Sequence, residues 1–214
     1  MVDDTDVMTR LLSGYRKFKA KYYEKTDFFD SLVEYGQQPK VLVIACCDAR
    51  VDPAIVTQSH PGDMFVVRNV ANLVPPFQTD LQYHGTSAAI EFAVKELKVS
   101  DIIVFGHQYC GGIDALFSTS DAPSQTDFLH AWMSIAQPAK EQVLRDHAGA
   151  TRKEQNHHCE KASLSTSLDN LRTFPWISEQ LMDGSLSIHG WYFDMDQGLI
   201  KSFDPDSGLF TPLK

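Results

Sequence analysis

Apolar positions recur at spacings of three and four over residues 5–23, where Val7, Leu11, Tyr15, Phe18 and Tyr22 fall on one side. An amphipathic helix is therefore predicted to open the chain. A short helix follows over 30–35, stopped by Gly36-Gln-Gln-Pro39. The period then changes: Val41–Cys46 is a continuous run of β-branched and other apolar residues, the mark of a strand buried on both faces. Met64–Val67 and Ile102–Phe105 repeat that pattern. Asp52-Pro53 suits the start of a short helix to Gln58, residues 69–79 with Pro75-Pro76 read as a loop, and 85–98 as a helix with Ala88, Ala89, Phe92, Ala93 and Leu97 on one face. Gly111-Gly112 allow tight geometry before a helix through Leu116. Helices are further predicted over 127–147, with Pro138 as a kink site, and over 154–171 and 176–182. Leu186–Phe193 reads as a strand, and Leu199–Phe203 as its hairpin partner across residues 194–198.

Alternating strands and helices predict an α/β fold: a mostly parallel central sheet flanked by helices on both faces, with an N-terminal helical arm over 1–26 and a C-terminal hairpin. Residues 27–214 form the single α/β domain of this reading. The arm has no sequence neighbour to pack on before Asp27-Phe-Phe29, so it docks either on another subunit or on its own domain. Ligands of such sheets gather at the carboxyl ends of strands where strand order reverses.

Composition changes this picture only in part. A length of 214 residues suits one core of ordinary size. A formal net charge of -9 and a pI near 5.3 argue against nucleic acid or an anionic membrane surface as partner. No run approaches the ~20 apolar residues of a membrane helix, and the start Met1-Val-Asp-Asp-Thr-Asp6 is acidic where a signal peptide is basic and then apolar. A cytoplasmic protein is expected. In a reducing compartment Cys46, Cys47, Cys110 and Cys159 point to metal binding or catalysis before disulfides.

The chemistry lies at the ends of two predicted strands, in Val41-Leu-Val-Ile-Ala-Cys-Cys-Asp-Ala-Arg50 and Asp101-Ile-Ile-Val-Phe-Gly-His-Gln-Tyr-Cys-Gly-Gly112. His107-x-x-Cys110 places an imidazole and a thiolate on one turn, and Cys46 can add a second thiolate from the neighbouring strand. A Cys₂His set suits Zn²⁺, and three protein ligands with a fourth position open point to catalysis. Cys46 and Cys47 face opposite ways on an extended segment, so one of them joins such a site and the other packs. Cys159, in a predicted helix without a second ligand pair, reads as structural. Asp48-x-Arg50 puts a carboxylate and a guanidinium on the same side, where they can pair. Two thiolates cancel the charge of Zn²⁺, so the metal acidifies its water less than a three-histidine site does. An arginine-held aspartate accepting a hydrogen bond from zinc-bound hydroxide would orient the nucleophile, with activity rising with pH through neutrality.

These residues resemble those of the β-class carbonic anhydrases. Cys46-Cys-Asp-Ala-Arg50 matches that family's Cys-Ser-Asp-Ser-Arg pattern, and His107–Gly112 its His-x-x-Cys-Gly-Gly pattern. The similarity extends through residues 61–76, 85–97, 167–175 and 189–192, nearly the whole chain after about residue 27. It implies zinc at Cys46, His107 and Cys110, which leaves Cys47 to packing, and the Asp48–Arg50 dyad beside the metal. It also implies reversible hydration of carbon dioxide to bicarbonate and a proton by attack of zinc-bound hydroxide.

Within the family the sequence looks plant-like: Gln37 and Phe65 match pocket residues of that subgroup, and Phe92 stands where its members carry a pocket tyrosine. Val43 occupies the place of the tryptophan found in the subgroup regulated by a non-catalytic bicarbonate site. A homodimer, or a dimer-based tetramer or larger assembly, follows from the resemblance, with N-terminal helices embracing the neighbour. Two rivals stand beside this reading. One is a hydrolase of carbonyl sulfide or carbon disulfide using the same zinc hydroxide; the other is a non-catalytic zinc protein.

Overall fold

The computed structural model describes residues 6–24, 26–80, 82–118 and 128–213, so Thr5 and Asp127, at the ends of two predicted helices, lie outside the described residues. The chain divides into two units, Met1–Gln38 and Pro39–Lys214.

The first unit holds α1 (Val7–Tyr22) and α2 (Phe28–Tyr35). Asp6 caps α1 by accepting the Thr9 N–H at 3.2 Å, and Lys19 and Lys21 sit in its last turn, where the helix dipole favours cations. Phe18 and Tyr22 of α1 meet Phe29 of α2 with ring centroids 5.7 and 6.1 Å apart. Val7, Met8, Leu11 and Leu12 remain exposed along α1.

The second unit is built on a six-stranded sheet. Its order is β2 (Met64–Asn69), β1 (Val41–Cys46), β3 (Asp101–His107), β4 (Ser187–Asp194), β5 (Leu199–Asp204) and β6 (Leu209–Pro212). The first four are mutually parallel, β5 pairs antiparallel with β4 and β6 antiparallel with β5, giving a mixed α/β sheet that is parallel on one side and antiparallel on the other. Leu42, Ile44, Ile102 and Val104 enter one core cluster with residues of α4 (Gly85–Glu91), α8 (Arg152–Arg172) and α9 (Pro175–Asp183). Val43, Ala45, Ile103 and Phe105 alternate with them and enter another, against Val51 and Val56, the latter from α3 (Pro53–Thr57). Burial on both faces is why these strands carry no polar residue before their ends.

Several elements depart from the sequence reading for identifiable reasons. The helix over 85–98 changes to π geometry at Phe92–Glu96, a local widening that periodicity does not register. The helix predicted over 127–147 breaks into α6 (Phe128–Met133), a 3₁₀ turn over Ser134–Ala136 and α7 (Gln137–Asp146). Pro138 sits in the first turn of α7, where its missing N–H costs nothing, so the proline starts a helix and does not kink one. Strand β6 was not expected: its four residues, three of them exposed, are too few to show a period.

Two features position the site. Strand order reverses between β1 and β3, because the chain passes from β1 to β2 on one side and then returns to β3 on the other, so the ends of β1 and β3 form the crevice of the sheet. Helix α8 also packs unusually close to the sheet: a Cβ added to Gly190 of β4 would stand 2.3 Å from Leu164 Cδ2 and 3.1 Å from Phe203 Cβ. A side chain at 190 would force Leu164 to move, and with glycine there α8 packs close against β3 and β4.

Candidate metal centre

Cys46 ends β1 and His107 ends β3, while Cys110 immediately precedes α5 (Gly111–Ser118). The three ligand atoms lie within 4.8 Å of one another, and all three residues are buried. The two sulfurs are 4.0 Å apart. Backbone donors face both: the Asp48 N–H points to the Cys46 sulfur, and the Gly112 and Ile113 N–H groups at the start of α5 point to Cys110. Such donors favour thiolates. The hydrogen bond from Cys110 holds the Cys46 thiol well below the ordinary range, while the same bond and burial push Cys110 up. The pair thus shares one proton, and expelling it calls for a cation.

His107 supplies the test of fit. Its Nδ1 lies 2.9 Å from the Gln108 carbonyl oxygen, which can only accept, so Nδ1 carries the hydrogen and Nε2 presents a bare lone pair. That Nε2 is buried and has no hydrogen-bond partner, although an orphaned buried acceptor is costly. Two sulfurs and an unpaired imidazole nitrogen within one small volume are the donor set of a zinc ion.

Asp48 and Arg50 close the front of this cluster. Arg50 Nε donates to Asp48 Oδ1 at 2.9 Å and Nη2 to Oδ2 at 2.7 Å, and the Arg50 N–H adds a third bond to Oδ1 at 2.9 Å. The Arg50 side chain holds the Asp48 carboxyl below the usual carboxylate range, against the cost of burial. Asp48 is accordingly ionised throughout neutral pH, so a rise in activity through neutrality would not report this carboxyl. Arg50 Nη2 also donates to the Tyr109 carbonyl at 2.9 Å and so joins the two loops that carry the site.

Cys47 is exposed, so it is not the packing residue the sequence suggested. One step along an extended chain turned it from the core to the surface. Cys159 is fully buried in α8, and burial pushes its thiol up to about 12, an inert structural cysteine. Phe65 on β2 and Phe92 at the π turn pack together with centroids 5.8 Å apart. Gln37 is exposed, just beyond α2, and belongs to the Met1–Gln38 unit. A cleft of about 900 Å³ borders the Gln108–Gly111 turn, but its walls include Cys110 and not Cys46 or Asp48, so it opens behind the donor set.

Sequence reasoning missed the residues that brace this site. Arg68, at the end of β2, donates to the carbonyls of Cys46, Asp48 and Val51 at 3.0, 2.8 and 3.2 Å and pairs with Asp52 at 2.7 Å. Its one signal was a charged residue where an apolar strand ends. Asp196, in the β4–β5 turn, accepts from Gln108 Nε2 at 2.9 Å and the Tyr109 hydroxyl at 2.8 Å. Tyr109 needs such support, since its φ of 60° is uncommon for a residue with a side chain. Nothing in the sequence pairs Asp196 with a turn 88 residues away.

Comparison with known proteins decides the family. A family model described as carbonic anhydrase matches residues 41–200, a span that contains the whole donor set. The chain belongs to the β-class carbonic anhydrases, plant-like in its relatives. β-Carbonic anhydrase 5, chloroplastic, of Arabidopsis thaliana is 42% identical over 193 residues, 90% of this chain and 63% of that protein. This carbonic anhydrase chain therefore spans under two thirds of that relative's length. The solved structure of the β-carbonic anhydrase CcaA superposes with a TM-score of 0.89 at 32% identity, covering 97% of this chain and 100% of that one. A structure from a study of two tetrameric β-carbonic anhydrases of the ascomycete Sordaria macrospora gives 0.79 at 31% identity, covering 95% and 98%. Members of this family use zinc, and the Cys-His-Cys cluster of this carbonic anhydrase suits that ion.

Proposed function

We propose that the protein catalyses the reversible hydration of carbon dioxide to bicarbonate and a proton, with zinc held by Cys46, His107 and Cys110. The observation that carries this reading is a bare, buried His107 Nε2 facing two thiols at the switch point of the sheet, beside an arginine-locked carboxylate. Cys46, His107 and Cys110 would hold the zinc, which would supply the Lewis acidity that makes a water acidic enough to serve as nucleophile. The chain's own part is positioning. Asp48 Oδ2 takes one bond from Arg50 and keeps a lone pair with which to accept a hydrogen bond from the attacking water and aim its oxygen. Arg50 keeps the carboxyl ionised and fixed. Phe65 and Phe92 offer an apolar wall for a linear, non-polar gas, and Gln37 an amide donor for a substrate oxygen.

The test is stopped-flow carbon dioxide hydration by the full chain, with zinc content measured alongside, before and after stripping with a chelator. Turnover that follows zinc content supports the reading; a zinc-loaded protein without activity revives the non-catalytic alternative. The proteins named above are carbonic anhydrases, and nothing in the structure favours carbonyl sulfide or carbon disulfide over carbon dioxide. In the same assay, zinc-loaded Gln37→Ala or Phe65→Ala with unchanged kcat/KM would remove that residue from the pocket.

The active unit in this reading is a dimer or a dimer of dimers, with the 1–26 arm reaching the neighbouring subunit. The exposed Val7, Met8, Leu11 and Leu12 stripe on α1 and the tetrameric Sordaria proteins support it. Light scattering should give at least twice the 24.0 kDa chain mass, and a monomer at micromolar concentration would sink the proposal. No helix among the described residues is long and apolar enough to cross a membrane. Four cysteines without a disulfide fit a reducing compartment, the basis for a cytoplasmic setting, although the named plant relative is chloroplastic.

A further inference from the structure

The fold places one buried carboxyl against the backbone of a metal ligand. Glu160 lies in the middle of α8 with 5% of its surface exposed, a position where helix and core favour an apolar side chain. Its Oε1 accepts the Cys110 N–H at 3.0 Å and its Oε2 the Tyr192 hydroxyl at 2.7 Å. The Tyr192 oxygen is also 3.0 Å from His157 Nδ1. Since the hydroxyl proton is committed to Glu160, Nδ1 must supply the hydrogen of that second contact, which leaves Nε2 to accept from Lys161 Nζ at 3.0 Å. The donors therefore run one way, from Lys161 through His157 and Tyr192 to Glu160, and both Glu160 oxygens and both His157 nitrogens have a partner.

Such a network can simply fasten α8 to β4. What sets it apart is where it ends. The bond from Cys110 leaves a turn whose preceding residue, Tyr109, has a φ of 60°, a conformation that persists only where its surroundings enforce it. Asp196 holds that turn from one end by its side chains, and Glu160 holds it from the other by its backbone.

We propose that Glu160 is a positioning residue for the metal: through the Cys110 N–H it fixes the Gln108–Gly111 turn, and Tyr192 and His157 lock its carboxyl in that orientation. The proposal rests on the assignment of Cys46, His107 and Cys110 as zinc ligands. Glu160→Gln is the informative change. The amide can still accept from Cys110, but its NH₂ then faces the Tyr192 O–H, and reversing that hydroxyl puts it in conflict with His157 Nδ1–H. Tyr192→Phe keeps the ring and releases the lock.

The experiment measures zinc dissociation by competition with a chromophoric chelator, and the thiolate-to-cobalt charge-transfer band after Co²⁺ substitution. Far-ultraviolet circular dichroism and the urea midpoint of the metal-free proteins report folding. Loss of partners that orient ligands typically costs about 10- to 100-fold in metal affinity, the range expected for Glu160→Gln, with a smaller loss for Tyr192→Phe and a displaced cobalt band in both. Folded variants that hold zinc as tightly as the parent, with the cobalt band unmoved, would reduce Glu160 to a brace between α8 and β4 and overturn the proposal. If Glu160→Gln does not fold, Tyr192→Phe decides by the same criterion. A parent protein that binds no stoichiometric zinc overturns the metal assignment, and this proposal with it.

Discussion

His107→Ala is expected to lose zinc and to leave carbon dioxide hydration at the uncatalysed rate. The imidazole is 1% exposed and contributes the one nitrogen of the donor set, its Nε2 bare and its Nδ1 fixed by the Gln108 carbonyl. Zinc bound by a small protein site is worth about 10–16 kcal/mol near neutral pH, so removing one ligand in three forfeits about 3–5 kcal/mol, or roughly 10²–10⁴ in affinity. The two remaining thiols share a proton through the Cys46–Cys110 contact, and a weakened metal displaces it less readily. The fold should survive, because the main core of Leu42, Ile44, Ile102 and Val104 with α8 does not include His107. Chelator competition and circular dichroism on the purified variant check this. Tight stoichiometric zinc in a folded His107→Ala would show that the ion sits elsewhere.

Asp48→Asn should separate zinc binding from catalysis. Its side chain is outside the donor set, so metal content is expected to stay stoichiometric while kcat/KM falls by about 10²–10³, the range typical of losing one positioned acid–base or hydrogen-bonding group. Asparagine preserves the shape but turns an NH₂ toward either Arg50 Nε or Nη2, so one of those two donors loses its acceptor. Stability should change by less than about 1 kcal/mol, since the Arg50 side chain is 54% exposed and water screens the pair. Stopped-flow hydration with parallel zinc analysis decides it: near-parental turnover in the fully metallated variant would remove Asp48 from the mechanism.

How far the site was legible depended on whether its parts were local. Asp48 and Arg50 are two residues apart on an extended segment, and their pairing follows from that spacing. His107 and Cys110 likewise share one turn. Cys47 was placed on the correct side of its neighbour but given the wrong surroundings, because alternation says which way a side chain points and not what covers it. Pro138 showed the same ambiguity, since proline marks a break equally well as a kink or as the first turn of the next helix. Arg68, Asp196 and Glu160 were invisible as site residues because each meets its partners across 16 to 88 residues of chain.

The sequence alone determined the buried parallel strands, through apolar runs that only two-sided burial tolerates, and the chemical kinds of donor at their ends. It also determined the local carboxylate–guanidinium pair. The tertiary structure decided which donors meet. Strand order puts the ends of β1 and β3 side by side, and the packing of α8 on the sheet brings Glu160 to Cys110. The tautomer of His107, and hence its bare nitrogen, follows from a carbonyl oriented by the fold. Covalent spacing governs what is near in the chain, whereas sheet order and helix packing govern what is near in space, and a metal centre needs both.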